Sequence, residues 1–255
     1  MGESIRAVER ALDVLMCFTS QTPELSMTEI SEMIGINKST VHRLLATLEG
    51  KRFVERDAIT GVYRPGIRLV QLASLTMEHN DLRRLAAPFL HNLCDQFLEN
   101  VNLAVLDETD VVYLDVIEGT QRVKLAAAPG QRLPAFCTAS GKAILAFLPE
   151  EKLGDILAHG LTKYTQNTIT SEEAFLENLR HTREQGYAIS EQEFEDGINA
   201  IAAPICHQPI ASVSIAGPAY RLTRERMIEI GPHLLTTIKK IAQEVELAVN
   251  LGNDY

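Results

Sequence analysis

The sequence predicts an α+β chain of two domains, an N-terminal winged helix-turn-helix followed by a larger domain in which helices pack on an antiparallel sheet. Three observations carry this reading. Residues 25–50 hold two short stretches of helical apolar spacing on either side of Gly35, and a β-hairpin pattern follows directly. From Asn102 the apolar period shortens to that of strands. The 255 residues also exceed the ~100–200 that one domain usually organises.

Taken in order, Ser4 is expected to cap a first helix over 4–18, burying Ile5, Val8, Leu12, Leu15 and Met16 behind the elements that follow. Ser26 with Glu29 three residues later forms a capping box, which opens a helix carrying Ile30, Met33 and Ile34 and ending at Gly35. Asn37 caps the next helix, where Val41, Leu44, Leu45 and Leu48 fall on one face. Ser39, His42, Arg43 and Ala46 project from the opposite face, with Lys38 and Thr47 on its flanks. Short hydroxyls and a guanidinium on such a face suit phosphates and base edges in a major groove. By periodicity alone the same pattern also describes a solvated amphipathic hairpin. The strand pattern at 53–56, the turn at 57–61 and the strand pattern at 62–64 add a wing, and so favour the DNA-reading alternative.

After Pro65 and Gly66, a connector helix is expected over 67–80, and a further helix over 81–98 with Leu82, Leu85, Phe89, Leu93 and Phe97, kinked or broken at Pro88. Strands are expected at 102–106, 111–117 and 123–127, helices at 139–148, 150–159 and 171–185, and strands at 198–205 and 210–216. A long helix opens at Thr223 and buries Met227, Ile230, Leu234, Ile238, Ile241, Val245 and Val249. The expected domains are 1–66, a linker helix 67–80, and 81–255.

Charge is divided unevenly. The chain has 24 basic and 34 acidic residues, a net of −10. From Met1 to Thr76 nine basic residues balance nine acidic ones, so the excess acid lies later, and five of those nine basics fall between Lys51 and Arg68. A neutral domain with a local basic edge binds DNA selectively, while an acidic remainder suppresses indiscriminate adhesion. The four cysteines, Cys17, Cys94, Cys137 and Cys206, are dispersed, which argues against a zinc site or a disulfide framework; core or pocket-lining thiols are expected. Neither a leader nor an apolar run of ~20 residues is seen, so a cytoplasmic protein with no membrane partner, metal or cofactor is expected.

Five segments, SIRAVERAL at 4–12, GINKSTVHRLL at 35–45, TASGKA at 138–143, GINAIAAP at 197–204 and IAGP at 215–218, span both domains. In these segments the chain resembles the isocitrate lyase regulator (IclR) family of bacterial transcriptional regulators. The resemblance implies a winged helix that binds double-stranded operator DNA, a GAF-like second domain that binds a small effector, and a homodimer or homotetramer. On the DNA side, Arg43 is expected at a base edge or phosphate, with Lys38, Ser39, Thr40, His42 and Thr47 positioning the helix. Lys51, Arg56 and Arg64 are expected on phosphates near the wing, and Arg52 is available to pair with Glu49 or Glu55. The resemblance places the effector pocket near Ala139, Ser140, Gly141, Ser190, Glu191, Ser212 and Ser214, with a small carboxylate as the expected ligand. Two positions depart from the family pattern: Ser190 stands where many relatives have aspartate, and Ala216 where they often have serine. The link at 206–209 is short, so an altered register of the last two strands is expected. Two competing readings remain. One is a second domain that only oligomerises; the other is an enzyme assembled from Cys137, His207, Glu191 and Glu193.

Overall fold

The computed structural model describes residues 5–19, 21–78, 81–205 and 211–252. Ser4, Asn80, Cys206, His207 and Ile210 lie outside these residues, as does the side chain of Val249. The chain divides into two compact units, Met1–His79 and Asn80–Tyr255.

In the first unit, α1 (Arg6–Met16), α2 (Met27–Ile34) and α3 (Lys38–Gly50) precede the wing strands β1 (Val54–Arg56) and β2 (Tyr63–Pro65), and α4 (Ile67–Glu78) follows. The caps form as the sequence dictates. Ser26 Oγ accepts from Glu29 N while Glu29 Oε2 accepts from Ser26 N at 2.7 Å, and Gly35 ends α2 in the left-handed region at φ 65°. Val41, Leu45 and Leu48 of α3 are buried with Ile30 and Val54, and Leu44 is half-buried. Leu25 bridges to Tyr63, which adds a third strand contact to the wing.

Two apolar expectations fail in this unit. Ile5, Val8, Leu12 and Met16 are exposed, at 54–73% of their surface, and α1 instead packs through Val14, Ala11 and Leu15. Met33 of α2 is also exposed. Because α1 has apolar residues on two faces, periodicity identifies a helix without deciding which face meets its own core.

The second unit is built on a six-stranded antiparallel sheet. Its strands are β3 (Asn100–Asp107), β4 (Asp110–Ile117), β5 (Arg132–Pro134), β6 (Ala188–Glu191), β7 (Ile198–Ile205) and β8 (Ala211–Pro218), in the order β5-β4-β3-β8-β7-β6. Strand alternation sorts its faces. Val101, Leu103, Ile201, Ala203, Ile205, Val213 and Ile215 pack against α5 (Asp81–Phe97) and α9 (Arg224–Gly252). The other face carries small and polar side chains, among them Asn102, Ala104, Ala202, Ser212 and Ser214, and is covered by α6 (Ala139–Leu145), α7 (Glu150–Ala158) and α8 (Glu172–Gln185). Met227, Ile230, Leu234, Ile238 and Ile241 of α9 are buried as their spacing requires.

Several boundaries differ from expectation. No strand forms at 123–127; the segment is irregular and is held by Asn100, whose Nδ2 donates to Leu125 O at 2.8 Å, while β5 takes the sheet edge beside β4. β6 was not expected: it has four residues, follows Gly186 (φ 84°) and pairs with β7. Helix α5 runs through Pro88, which lies on its exposed side. The register of β7 with β8 is unbroken from Ile198↔Pro218 to Ile205↔Ala211. No helix among the described residues is long and apolar enough to cross a membrane.

Candidate functional site

The first unit presents α3 outward. Lys38, Ser39, His42, Arg43, Ala46 and Thr47 are exposed, whereas Thr40 is half-buried toward the groove between α1 and α3. Part of this face is already engaged in its own helix. Asn37 Oδ1 accepts from Thr40 N and from Ser39 Oγ, both at 2.9 Å, so the Ser39 hydroxyl offers an incoming phosphate a lone pair rather than a proton. Thr47 Oγ1 donates to Arg43 O at 2.9 Å. His42 and Arg43 therefore carry the donors that reach outward from the middle of the helix.

The wing supplies further cations. Arg56 lies over the Tyr63 ring at 5.7 Å and donates from Nε to Gly61 O at 3.4 Å, and Lys51 is exposed at the end of α3. Arg64 faces Glu55 across the ladder and pairs with it at 3.4 Å, so Glu55 is taken by Arg64 and not by Arg52. Both partners are largely exposed, and such a pair is weak enough to open onto a phosphate. Asp57 Oδ1 accepts from Ile59 N, Thr60 N and Thr60 Oγ1, which fixes the turn at the wing tip.

The second unit holds a pocket between the small-residue face of the sheet, the start of α6 and the 125–133 segment. Leu125, Leu133, Phe194 and Ile198 form apolar walls, and Tyr113, Thr138, Ser140, Ser190, Ser214, Gln131 and Glu195 bring polar groups. Among the described residues, no lysine, arginine or histidine lines it. Of the residues placed here by resemblance, Ala139, Ser140, Ser190 and Ser214 line the cavity, and Gly141, Glu191 and Ser212 do not. Gly141 packs instead: a Cβ there would sit 2.0 Å from Ala135 O, so only glycine lets α6 approach this closely. Ser212 is fully buried and donates to Ser140 O at 3.1 Å, which fixes α6 on β8. Glu191 points off the opposite face of β6 and pairs with Arg224.

The hydrogen-bond directions inside the cavity are set by its surroundings. Ser190 Oγ donates to Cys137 O at 3.2 Å and Thr138 Oγ1 donates to Pro134 O at 3.1 Å, so both protons are committed. Ser214 is different. Its Oγ accepts from Asn102 Nδ2 at 3.2 Å, which leaves the Ser214 proton for a ligand. Burial pushes the Tyr113 phenol up to about 12, so it remains a neutral donor at physiological pH. Burial also raises the Cys137 thiol to about 12, which removes it as a nucleophile. Cys17 and Cys94 are buried free thiols. Among the described residues, no cluster of three metal-ligating side chains occurs. The contributions of Tyr113, Gln131 and the 125–127 segment were missed in the sequence; an interrupted strand pattern was the only local signal for them.

A winged helix with an outward cationic face, carried on the same chain as a sheet domain with a small enclosed cavity, defines the class of two-domain winged-helix regulators. The comparisons agree. The bacterial transcriptional regulator IclR C-terminal domain matches residues 74–246, and the IclR helix-turn-helix domain matches residues 7–58. The chain belongs to the IclR family of bacterial transcriptional regulators, a family of regulators and not of enzymes. It is 32% identical over 250 residues to the transcriptional repressor IclR of Escherichia coli, covering 96% of this chain and 90% of that protein. It is 36% identical to the transcriptional regulator XynR of Escherichia coli, over 83% of this chain and 86% of the relative. Among solved structures, an IclR transcriptional regulator from Alicyclobacillus acidocaldarius superposes with a TM-score of 0.86 at 28% identity, covering 95% of this chain and 99% of that one. An IclR homologue from Microbacterium hydrocarbonoxydans, complexed with 4-hydroxybenzoate, superposes with a TM-score of 0.80 at 25% identity, covering 94% and 99%.

Proposed function

We propose that this regulator binds operator DNA as a homo-oligomer through α3 and the wing, and that a small carboxylate in the pocket of the second unit changes its affinity for the operator. Arg43 is the principal base-edge contact, His42 positions the helix, Ser39 serves through its bond to the Asn37 cap, and Lys51, Arg56 and Arg64 meet phosphates. The exposed Ile5, Val8, Leu12 and Met16 of α1, with Val70 and Leu75 of α4, support self-association, since one unit seldom leaves this many large apolar side chains in water.

The observation that carries the effector reading is the free donor set. Ser214 keeps a proton for a ligand, Tyr113 remains a neutral phenol, and apolar walls surround both. With no cation among the described lining residues and one carboxylate, Glu195, already there, a ligand acid is held by neutral donors alone, which favours a monocarboxylate with an apolar body over a dicarboxylate. The 4-hydroxybenzoate of the Microbacterium hydrocarbonoxydans homologue is a ligand of that kind.

A thermal-shift panel of small aliphatic and aromatic carboxylates tests this. A ligand at about 100 times its Kd stabilises the folded state by about 2.7 kcal/mol, which moves the melting temperature by several degrees. No shift with any carboxylate would favour a second domain that only oligomerises. Chemical turnover of a bound acid would overturn the regulatory reading altogether.

A further inference from the structure

One wall of the pocket in the second unit lies outside every strand and helix. The floor is the sheet, and the wall at Phe194 is tied down from several sides. Thr165 Oγ1 donates to Gln192 O and Thr168 Oγ1 to Glu193 O, both at 2.6 Å, and Lys142 pairs with Glu193. Leu125, Ala126 and Ala127 form another wall, in a segment that is neither strand nor helix.

That segment is held from one point in the chain. Glu99 and Asn100 are consecutive at the entry to β3, and both are buried. Asn100 Nδ2 donates to Leu125 O at 2.8 Å, and its Oδ1 accepts from Gly119 N at 3.0 Å. Glu99 acts through Arg221. Its Oε1 and Oε2 accept from Arg221 Nε at 2.5 Å and Nη2 at 2.8 Å, and the same Nη2 donates to Val123 O at 2.8 Å. The bidentate fork fixes the guanidinium plane, so the donor that meets Val123 O is aimed by a buried carboxylate. Gly217 makes room for it, since a Cβ there would sit 2.5 Å from Glu99 Oε2.

Among the described residues, the bonds to Val123 O and Leu125 O are the hydrogen bonds that join 120–127 to the rest of the unit; the pair of Lys124 with Glu118 stays beside the segment itself. Two such bonds restrain a chain far less than a strand ladder does, so this wall opens before the sheet opens.

We infer that the 120–127 segment is the wall that yields when a ligand enters or leaves the pocket, and that Arg221 and Asn100 are positioning residues for the effector, a role that rests on the effector reading of that pocket. Neither side chain needs to touch the ligand. Together they set how often the wall opens and how Leu125 closes on a bound molecule.

Backbone amide hydrogen exchange in the full-length protein tests this, with benzoate as the monocarboxylate. Benzoate at about 10 times its Kd should slow exchange across 120–127 about tenfold in wild type, because an opening that expels the ligand competes with binding. Arg221→Lys keeps a cation against Glu99 but loses the fork. It should quicken ligand-free exchange across 120–127 about tenfold, the loss of one hydrogen bond to a charged group, and far less in β7 and β8; benzoate should also leave about tenfold faster. Glu99→Gln combined with Arg221→Met removes both charges at once and should act in the same way, so it decides the matter if Arg221→Lys does not fold. If benzoate raises the melting temperature but does not slow exchange across 120–127, or if the variants quicken exchange there no more than in β7 and β8, the positioning role is overturned and the pair serves the fold alone. No rise in melting temperature with benzoate would overturn the effector reading, and the positioning role with it.

Discussion

The proposed DNA-reading face and the proposed effector pocket meet opposite demands with different chemistry. α3 and the wing expose cations and commit their small hydroxyls to local caps, whereas the cavity excludes cations and arranges buried hydroxyls whose protons are directed by neighbours. The first is assembled from about thirty consecutive residues. The second draws on β3, β4, the start of α6, β6, β7 and β8, so a single side chain such as Asn102 sets its polarity from across the sheet. Local caps and turns build the surface proposed to read DNA, while long-range packing builds the pocket proposed to read a small molecule.

The largest expected effect separates the two units. Gly141→Ala drives a methyl into the Ala135 backbone, and overpacking of that kind costs about 3 kcal/mol, lowering the stability of the second unit in denaturant unfolding. The first unit should keep its own transition; loss of both together would show that they do not melt independently.

That contrast also explains what was legible in the sequence. Capping boxes, the Gly35 stop and the α3 stripe depend on neighbours within four residues, and they appear where expected. The buried face of α1 does not, because Ile5, Val8, Leu12 and Met16 form as good a stripe as the one used, and only tertiary packing chooses. In the second unit the 139–141 loop, the 190–191 segment and the strand with Ser212 and Ser214 border the pocket, but three of the seven residues singled out there serve packing or ion pairing: Gly141, Ser212 and Glu191. Hydrogen-bond direction, which decides that Ser214 and not Ser190 keeps its proton, has no signature in sequence.

Next in size, Arg43→Ala should weaken binding to the preferred DNA sequence by about 1–3 kcal/mol, roughly 5- to 150-fold, and flatten sequence preference without altering unfolding. Competition between selected and scrambled duplexes measures it, and an unchanged preference would reject Arg43 as the reader. Ser214→Ala should weaken the carboxylate found in the thermal-shift panel about tenfold, the loss of one hydrogen bond to a charged group, with DNA affinity in the absence of ligand unchanged. A variant that keeps full ligand affinity would shift the role of donor to Tyr113 or Ser140.

The smallest effect concerns the support of α3 rather than its face. Ser26→Ala should cost about 1 kcal/mol by breaking the capping box. Hydrogen bonds from the Ser26 backbone N–H and side chain hold the Glu29 carboxyl below its ordinary range. Its contribution is therefore present above the unfolded carboxyl value and is lost as pH falls through the lower folded one. The stability gap between wild type and Ser26→Ala should be constant near neutrality and narrow in acid without closing, because the bond from Glu29 N to Ser26 Oγ does not titrate and the Ser26 backbone N–H bond survives in the variant; a gap that widened in acid would contradict this account of the cap.

The most direct test of the central claim joins the two regions. A duplex selected by the protein itself is titrated with and without a saturating amount of the stabilising carboxylate, since a switch requires the ligand to favour one of two DNA-binding states. The account predicts that operator affinity changes by about tenfold in wild type and that Ser214→Ala needs proportionally more ligand for the same change. Equal operator affinity with and without a bound carboxylate would contradict it.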